Sequence, residues 1–214
     1  MKLQEYLDRR YTKDEQLALR NLSCNNHSLT SLEGIENLPN LQIFSCTYNK
    51  LTSLAGIENL VHLTNLRCYD NNLTSLKGIE NLVKLESLNC SYNNLTSLEG
   101  VKNLTNLYQL YCGNNSITSL EGIENLIHLE ELNCSENDLT SLKGIEKLVN
   151  LREMYCNDNN ITSLRGIEML LDLEDINYIN NALPYENLDF VDILKVIKSE
   201  KRKDFIGNLL NTNQ

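Results

Sequence analysis

The sequence predicts an α/β solenoid: an arc of about eight parallel strands on the concave face, short extended or 3₁₀ segments on the convex side, and helical caps at both ends. Three observations carry this expectation. Cys24, Cys46, Cys68, Cys90, Cys112, Cys134 and Cys156 are the only cysteines, and every gap between them is 22 residues. In register with them a frame, L-x-x-L-x-C-x-x-N-x-L-T-S-L-x-G-I-x-x-L-x-x, recurs seven times from Leu29 to Ala182. Within the frame, apolar residues two apart alternate with polar ones, as on a strand with one buried side.

The elements follow in chain order. Residues 1–21 form an N-terminal helical cap: Thr12-Lys13-Asp14-Glu15 is a capping box ahead of Leu17, Leu19 and Leu22, and Leu3, Tyr6 and Leu7 predict a helical turn before it. Residues 22–182 form the repeats. Between Leu63 and Asn71, Leu66 and Cys68 point to one side of a strand, Asn65, Arg67 and Tyr69 to the other. Stacking places such strands in parallel, about 4.8 Å apart, beginning near Leu19, Leu41, Leu63, Leu85, Leu107, Leu129, Leu151 and Leu173. The return from Leu73 to Leu82 is too short for a long helix. Gly56, Gly78 and their equivalents take seven of the nine glycines, so this slot needs positive φ or very close packing. Asn49, Asn71, Asn93, Asn115, Asn137, Asn159 and Asn181 form a second column, read as amides satisfying backbone groups where the chain leaves the strand; a ligand-binding row is the alternative. His27 takes that slot in an irregular first turn.

Residues 183–214 form a C-terminal cap. Pro184 breaks the pattern, and Phe190, Ile193, Leu194 and Ile197 fall at helical spacing, with Phe205, Leu209 and Leu210 beyond. This segment is expected to seal the last repeat; an arm that grips a partner is the alternative.

The stretch Leu51-Thr52-Ser53-Leu54-Ala55-Gly56-Ile57-Glu58-Asn59-Leu60 resembles the 22-residue class of leucine-rich repeats, which includes bacterial internalins and the repeat subunit regulating protein phosphatase 1. The resemblance covers roughly residues 19–182. It implies a non-enzymatic protein-binding scaffold whose partner docks on the concave sheet. Cysteine stands where internalins usually have leucine, and no signal peptide or wall anchor is evident.

Charge and composition narrow the function. The formal charge is −10, from 19 basic and 29 acidic residues. The two caps hold ten basic and nine acidic groups, leaving nine basic against 20 acidic in the repeats, a net −11. Such a body repels phosphate backbones, so no nucleic-acid partner is expected. No stretch approaches the roughly 18 apolar residues of a membrane span. Seven cysteines without a C-x-x-C pair point to free thiols in a reducing, cytoplasmic setting. The thiols are read as small buried hydrophobes, with redox or metal chemistry as the alternative. His62 and His128 share one repeat position about 14 Å apart, too far to share a metal. No catalytic, metal or cofactor site is called, and the row Glu36, Glu58, Glu80, Glu124, Glu146 and Glu168 is taken as a solubilising convex face.

The candidate site is the concave face: Tyr48, Arg67, Tyr69, Asn89, Tyr92, Tyr111, Glu131, Asn133, Glu153, Tyr155, Asp158 and Asp175. Tyrosine with asparagine combines rigid amphipathic area with adaptable hydrogen bonding. The acids gather in the last four strands, with Glu136 among them and no basic residue in the outward positions. The expectation is a monomer that binds a protein or peptide bearing a basic region. A structural or self-assembling repeat protein, or a regulatory subunit of a bound enzyme, is the alternative.

Overall fold

The computed structural model describes residues 1–184. Two short helices, α1 (Leu3–Asp8) and α2 (Lys13–Ala18), precede eight strands: β1 (Asn21–Ser23), β2 (Ile43–Ser45), β3 (Asn65–Arg67), β4 (Ser87–Asn89), β5 (Gln109–Tyr111), β6 (Glu131–Asn133), β7 (Glu153–Tyr155) and β8 (Asp175–Asn177). They form one parallel sheet in sequential order. One register holds throughout, so that Leu22, Phe44, Leu66, Leu88, Leu110, Leu132, Met154 and Ile176 stand side by side. Each step is one 22-residue repeat, and the predicted solenoid arc is the observed fold. The strands open two residues later than expected, because Leu63 and its equivalents from Leu41 to Leu173 are buried ahead of the strand and not part of it, and Leu19 is partly buried there.

Each turn buries the same kinds of side chain against its neighbours. From Leu73 to Cys90 these are Leu73, Leu76, Ile79, Leu82, Leu85, Leu88 and Cys90, none more than 2% exposed. All seven cysteines are free and fully buried. Their thiols donate weakly across repeats, as from Cys68 Sγ to the Asn89 carbonyl at 3.5 Å and Cys112 Sγ to the Asn133 carbonyl at 3.3 Å. Burial pushes the thiols of Cys24, Cys90 and Cys134 up to about 12, and raises the other four as well.

The asparagine column is built into the backbone. Asn137 Nδ2 donates to the carbonyls of Cys112, Cys134 and Ser135 at 3.1–3.2 Å, while its Oδ1 accepts from the Ile117 N–H at 2.9 Å. Asn49, Asn71, Asn93, Asn115, Asn159 and Asn181 repeat the arrangement. Each amide ties its own turn to the preceding one, so it is occupied structurally.

The glycine slot realises both expected reasons. Gly34, Gly56, Gly78, Gly122, Gly144 and Gly166 have φ between 101° and 110°. In each, the N–H donates to a glutamate two residues on, from Gly34–Glu36 at 3.0 Å to Gly166–Glu168 at 2.7 Å. The convex acidic row is therefore not only solubilising: its carboxylates close the positive-φ turns. The fourth repeat tests this internally. There Lys102 replaces the glutamate, Gly100 leaves positive φ, and the 3₁₀ turn starts two residues earlier, at Glu99–Val101. Gly100 is held by space instead, since a Cβ would lie 2.8 Å from the Leu76 carbonyl oxygen. Glu146→Ala is accordingly expected to cost about 1 kcal/mol in urea denaturation, whereas Lys102→Ala changes stability by less than about 0.5 kcal/mol.

The N-terminus closes the first turn through hydrogen bonds and packing together. Lys2 bridges to Ser31 in parallel, Gln4 N–H donates to the Glu33 carbonyl at 2.8 Å, and Tyr6 Oη donates to the Ser23 carbonyl at 2.8 Å. Leu3, Tyr6 and Leu7 are buried. The capping box forms, with Glu15 N–H donating to Thr12 Oγ1 at 3.3 Å and Thr12 N–H to Glu15 Oε2 at 2.7 Å. Its helix docks by Gln16, 2% exposed, and not by Leu17, which is 52% exposed. Gln16 Nε2 donates to Asp8 Oδ1 and to the Tyr11 carbonyl, which makes burial of an amide tolerable. The helix expected from Phe190 to Ile197, with Phe205, Leu209 and Leu210, lies outside the described residues.

Candidate functional site

The repeat geometry sorts the candidate residues into columns. The third strand position carries Arg67, Asn89, Tyr111, Asn133 and Tyr155 on consecutive strands. The first position carries Glu131, Glu153 and Asp175 on β6, β7 and β8, again directly adjacent. Tyr69 stands two residues beyond β3. Tyr48, Tyr92 and Asp158 are not on the strands: they occupy the turn after them, each with φ of 54°. The tyrosines therefore form two groups, Tyr111 with Tyr155 on the sheet and Tyr48 with Tyr69 beyond its strand ends.

Tyr111 Oη donates to Glu131 Oε2 at 2.6 Å, and Gln109 Nε2 donates to the same oxygen at 3.0 Å. Partial burial, then that carboxylate, push the Tyr111 phenol well above its ordinary range, so it stays a neutral donor. Tyr155 Oη reaches Glu153 Oε2 at 3.2 Å and Asp175 Oδ2 at 3.5 Å, and its phenol is raised by burial and by Glu153. Like charges directly opposite on a sheet destabilise it. The tyrosine hydroxyls moderate that repulsion in the column Glu131–Glu153–Asp175. Among the described residues no basic side chain lies within 4.0 Å of these three carboxylates.

A basic group does border the column. Arg152 forms a two-nitrogen contact with Glu174 Oε1, at 2.6 and 3.0 Å, one residue before the outward strand positions. With Tyr108, Gln109, Glu130, Glu131 and Glu153 it lines a shallow hollow. The alternating pattern passes over it because it counts only outward strand positions; the 22-residue spacing of Arg152 and Glu174 is the signal that could have found the pair.

Asn133, Asn89 and Asp158 serve local structure. Asn133 Oδ1 accepts from the N–H and hydroxyl of Ser135 at 3.1 and 2.7 Å, and Asn89 Oδ1 from the Ser91 N–H at 3.2 Å. The amides of Asn157 and Asn180, at 2.6 and 2.7 Å, hold the Asp158 carboxyl below its ordinary range. Arg67 is exposed. Tyr48 and Tyr69 meet edge to face, centroids 4.8 Å apart at 74°. The Tyr48 hydroxyl raises the Tyr69 phenol, chiefly by hydrogen bonding.

A parallel sheet of identical steps, a buried leucine set and an asparagine column define a class of repeat protein. The model of the leucine-rich repeat region family matches residues 18–199, and the chain belongs to that family. No curated protein matches the chain. Among solved structures it is similar to internalin C2 of Listeria monocytogenes, with TM-score 0.79 and 25% identity, covering 83% of this chain and 78% of that one. It is also similar to an internalin (inlF) of the same organism, with TM-score 0.77 and 26% identity, covering 80% of this chain and 51% of that one. The family is generally one of non-enzymatic protein–protein interaction modules. Among the described residues, no helix is long and apolar enough to cross a membrane, and no three His, Cys, Asp or Glu residues converge to hold a metal.

Proposed function

We propose that this protein is a non-enzymatic interaction module that binds a protein or peptide on the concave sheet, with a basic segment of the partner over β6–β8. The observation that carries the reading is the column Glu131–Glu153–Asp175, adjacent in register and lacking a basic counterpart within 4.0 Å among the described residues. Tyr111 and Tyr155 border it as rigid amphipathic anchors, with their hydroxyls already committed to the carboxylates. Partner cations would relieve the crowding of like charge, and aromatic anchors supply most of the energy in such interfaces. The buried, protonated thiols accord with a reducing, cytoplasmic setting.

The test is charge reversal. Glu131→Lys with Glu153→Lys is expected to weaken capture of a partner from host lysate by at least tenfold and to flatten the salt dependence of what remains. Binding that is unchanged in strength and salt dependence would reject the assignment.

A further inference from the structure

The turn after each strand holds one residue in left-handed backbone, and in most repeats it is the type that tolerates it: Asn26, Asp70, Asn114, Asp158 and Asn180, with φ from 54° to 57°. Asparagine and aspartate visit this region with little penalty because their short side chains bond locally, as Asn180 and Asp158 do here. Three repeats break the rule, one with Glu136 at φ 52° and two with an aromatic residue, the bulkier departure. Tyr48 and Tyr92 have φ of 54° and are 50% and 56% exposed. A bulky residue at positive φ is strained, and half-exposed rings return little of that strain through packing. Strain retained at exposed positions is a mark of function.

The two strained tyrosines flank a carboxylate. The Asn49 N–H donates to the Asp70 carbonyl at 3.1 Å and the Asn71 N–H to the Tyr92 carbonyl at 3.2 Å, so Tyr48, Asp70 and Tyr92 succeed one another along one column. Tyr69, adjoining Asp70, packs edge to face on Tyr48 and fixes that ring. We infer that Tyr48, Tyr69 and Tyr92 with Asp70 form a recognition site for a guanidinium side chain. The aromatic faces attract a planar cation and Asp70 supplies the opposite charge; guanidinium also stacks on rings, which a compact ammonium does not. The site lies toward the N-terminal end, separate from the acidic column on β6–β8, and gives the partner a second basic contact. It deepens the reading of a basic partner and rests on it.

The probe is tetra-arginine amide, titrated into the intact protein carrying ring-labelled tyrosine and followed by NMR, with tetra-lysine amide alongside. Resonances of Tyr48, Tyr69 and Tyr92 are expected to shift, with arginine binding several-fold tighter than lysine. Tyr48→Asn with Tyr92→Asn restores the residue type usual in this turn. It is expected to raise Tm by a few degrees while weakening arginine binding about tenfold, a combination that a purely structural role for the rings does not produce. Asp70→Asn, which keeps a residue suited to the turn, provides a second variant with the same loss. Shifts confined to Tyr111 and Tyr155, unaffected by these variants, would overturn this site and leave the β6–β8 reading standing. No binding at either group would overturn both.

Discussion

Between pH 8.5 and 10.5 the protein is expected to unfold, and its cysteines are the reason. A thiol in an unfolded chain ionises near pH 8.5. In the native protein burial holds all seven thiols higher, with those of Cys24, Cys90 and Cys134 at about 12. The folded-state value is thus raised above the unfolded one. The stability that the neutral thiols contribute is fully present below pH 8.5 and is lost as pH climbs toward the native value, because the unfolded chain sheds protons the native chain keeps. Each thiol contributes roughly 1.4 kcal/mol per pH unit in that window. The three thiols held at about 12 together approach roughly 4 kcal/mol per pH unit once the unfolded thiols are ionised, and the other four act in the same direction. Urea denaturation at several pH values measures the slope. Cys90→Val and Cys112→Val should each remove about one proton from it, and native protein should react slowly with a thiol reagent while unfolded protein releases seven thiols. A stability that stays flat from pH 8 to 10 would refute the account.

Removing one amide from the asparagine column is the second large effect. Asn137→Ala leaves the Ile117 N–H without its partner and takes one of two donors from the carbonyls of Cys112, Cys134 and Ser135, which keep Asn115 Nδ2, Asn159 Nδ2 and the Asn114 N–H. One buried N–H left unpaired costs about 1–3 kcal/mol, and three carbonyls each lose one of two donors, so the expected loss is roughly 2–4 kcal/mol. Asn137→Asp tests the direction of the hydrogen bonds. It keeps the shape but turns a donor into an acceptor facing three carbonyls, so it should destabilise at least as much. Circular dichroism melts would check both; a loss below about 1 kcal/mol in Asn137→Ala would mean that water replaces the amide.

The fold was legible because its signal is periodic. A 22-residue spacing carried by Leu, Cys, Asn and Gly fixes strand register without knowledge of any contact. The candidate face was legible only by column. Alternation identified Tyr111, Glu131, Glu153 and Tyr155 as outward, but not that the phenols bond to the carboxylates. Tyr48, Tyr92 and Asp158 lie just beyond the strands in left-handed turns, a conformation that alternation does not register. The only trace of that conformation was a preference for Asn or Asp at one slot. The convex glutamates misled for a different reason: a charge row looks like solvation until the glycine N–H it accepts is known. Gln16 carries no apolar signal, and only hydrogen bonds to Asp8 and Tyr11 make this amide part of the core.

The unvarying register has a consequence for what fits the face. Carboxylates on β6, β7 and β8 recur at the inter-strand distance, about 4.8 Å. An extended chain laid along the solenoid advances 6.6–6.8 Å for every two residues, so its like-facing side chains drift out of step within one repeat. An α-helix advances 1.5 Å per residue, so positions i, i+3 and i+7 fall near 0, 4.5 and 10.5 Å. Against acids at about 0, 4.8 and 9.6 Å, three cations on one helical stripe stay matched to within roughly 1 Å. In pitch, this sheet is commensurate with a helix and not with a strand.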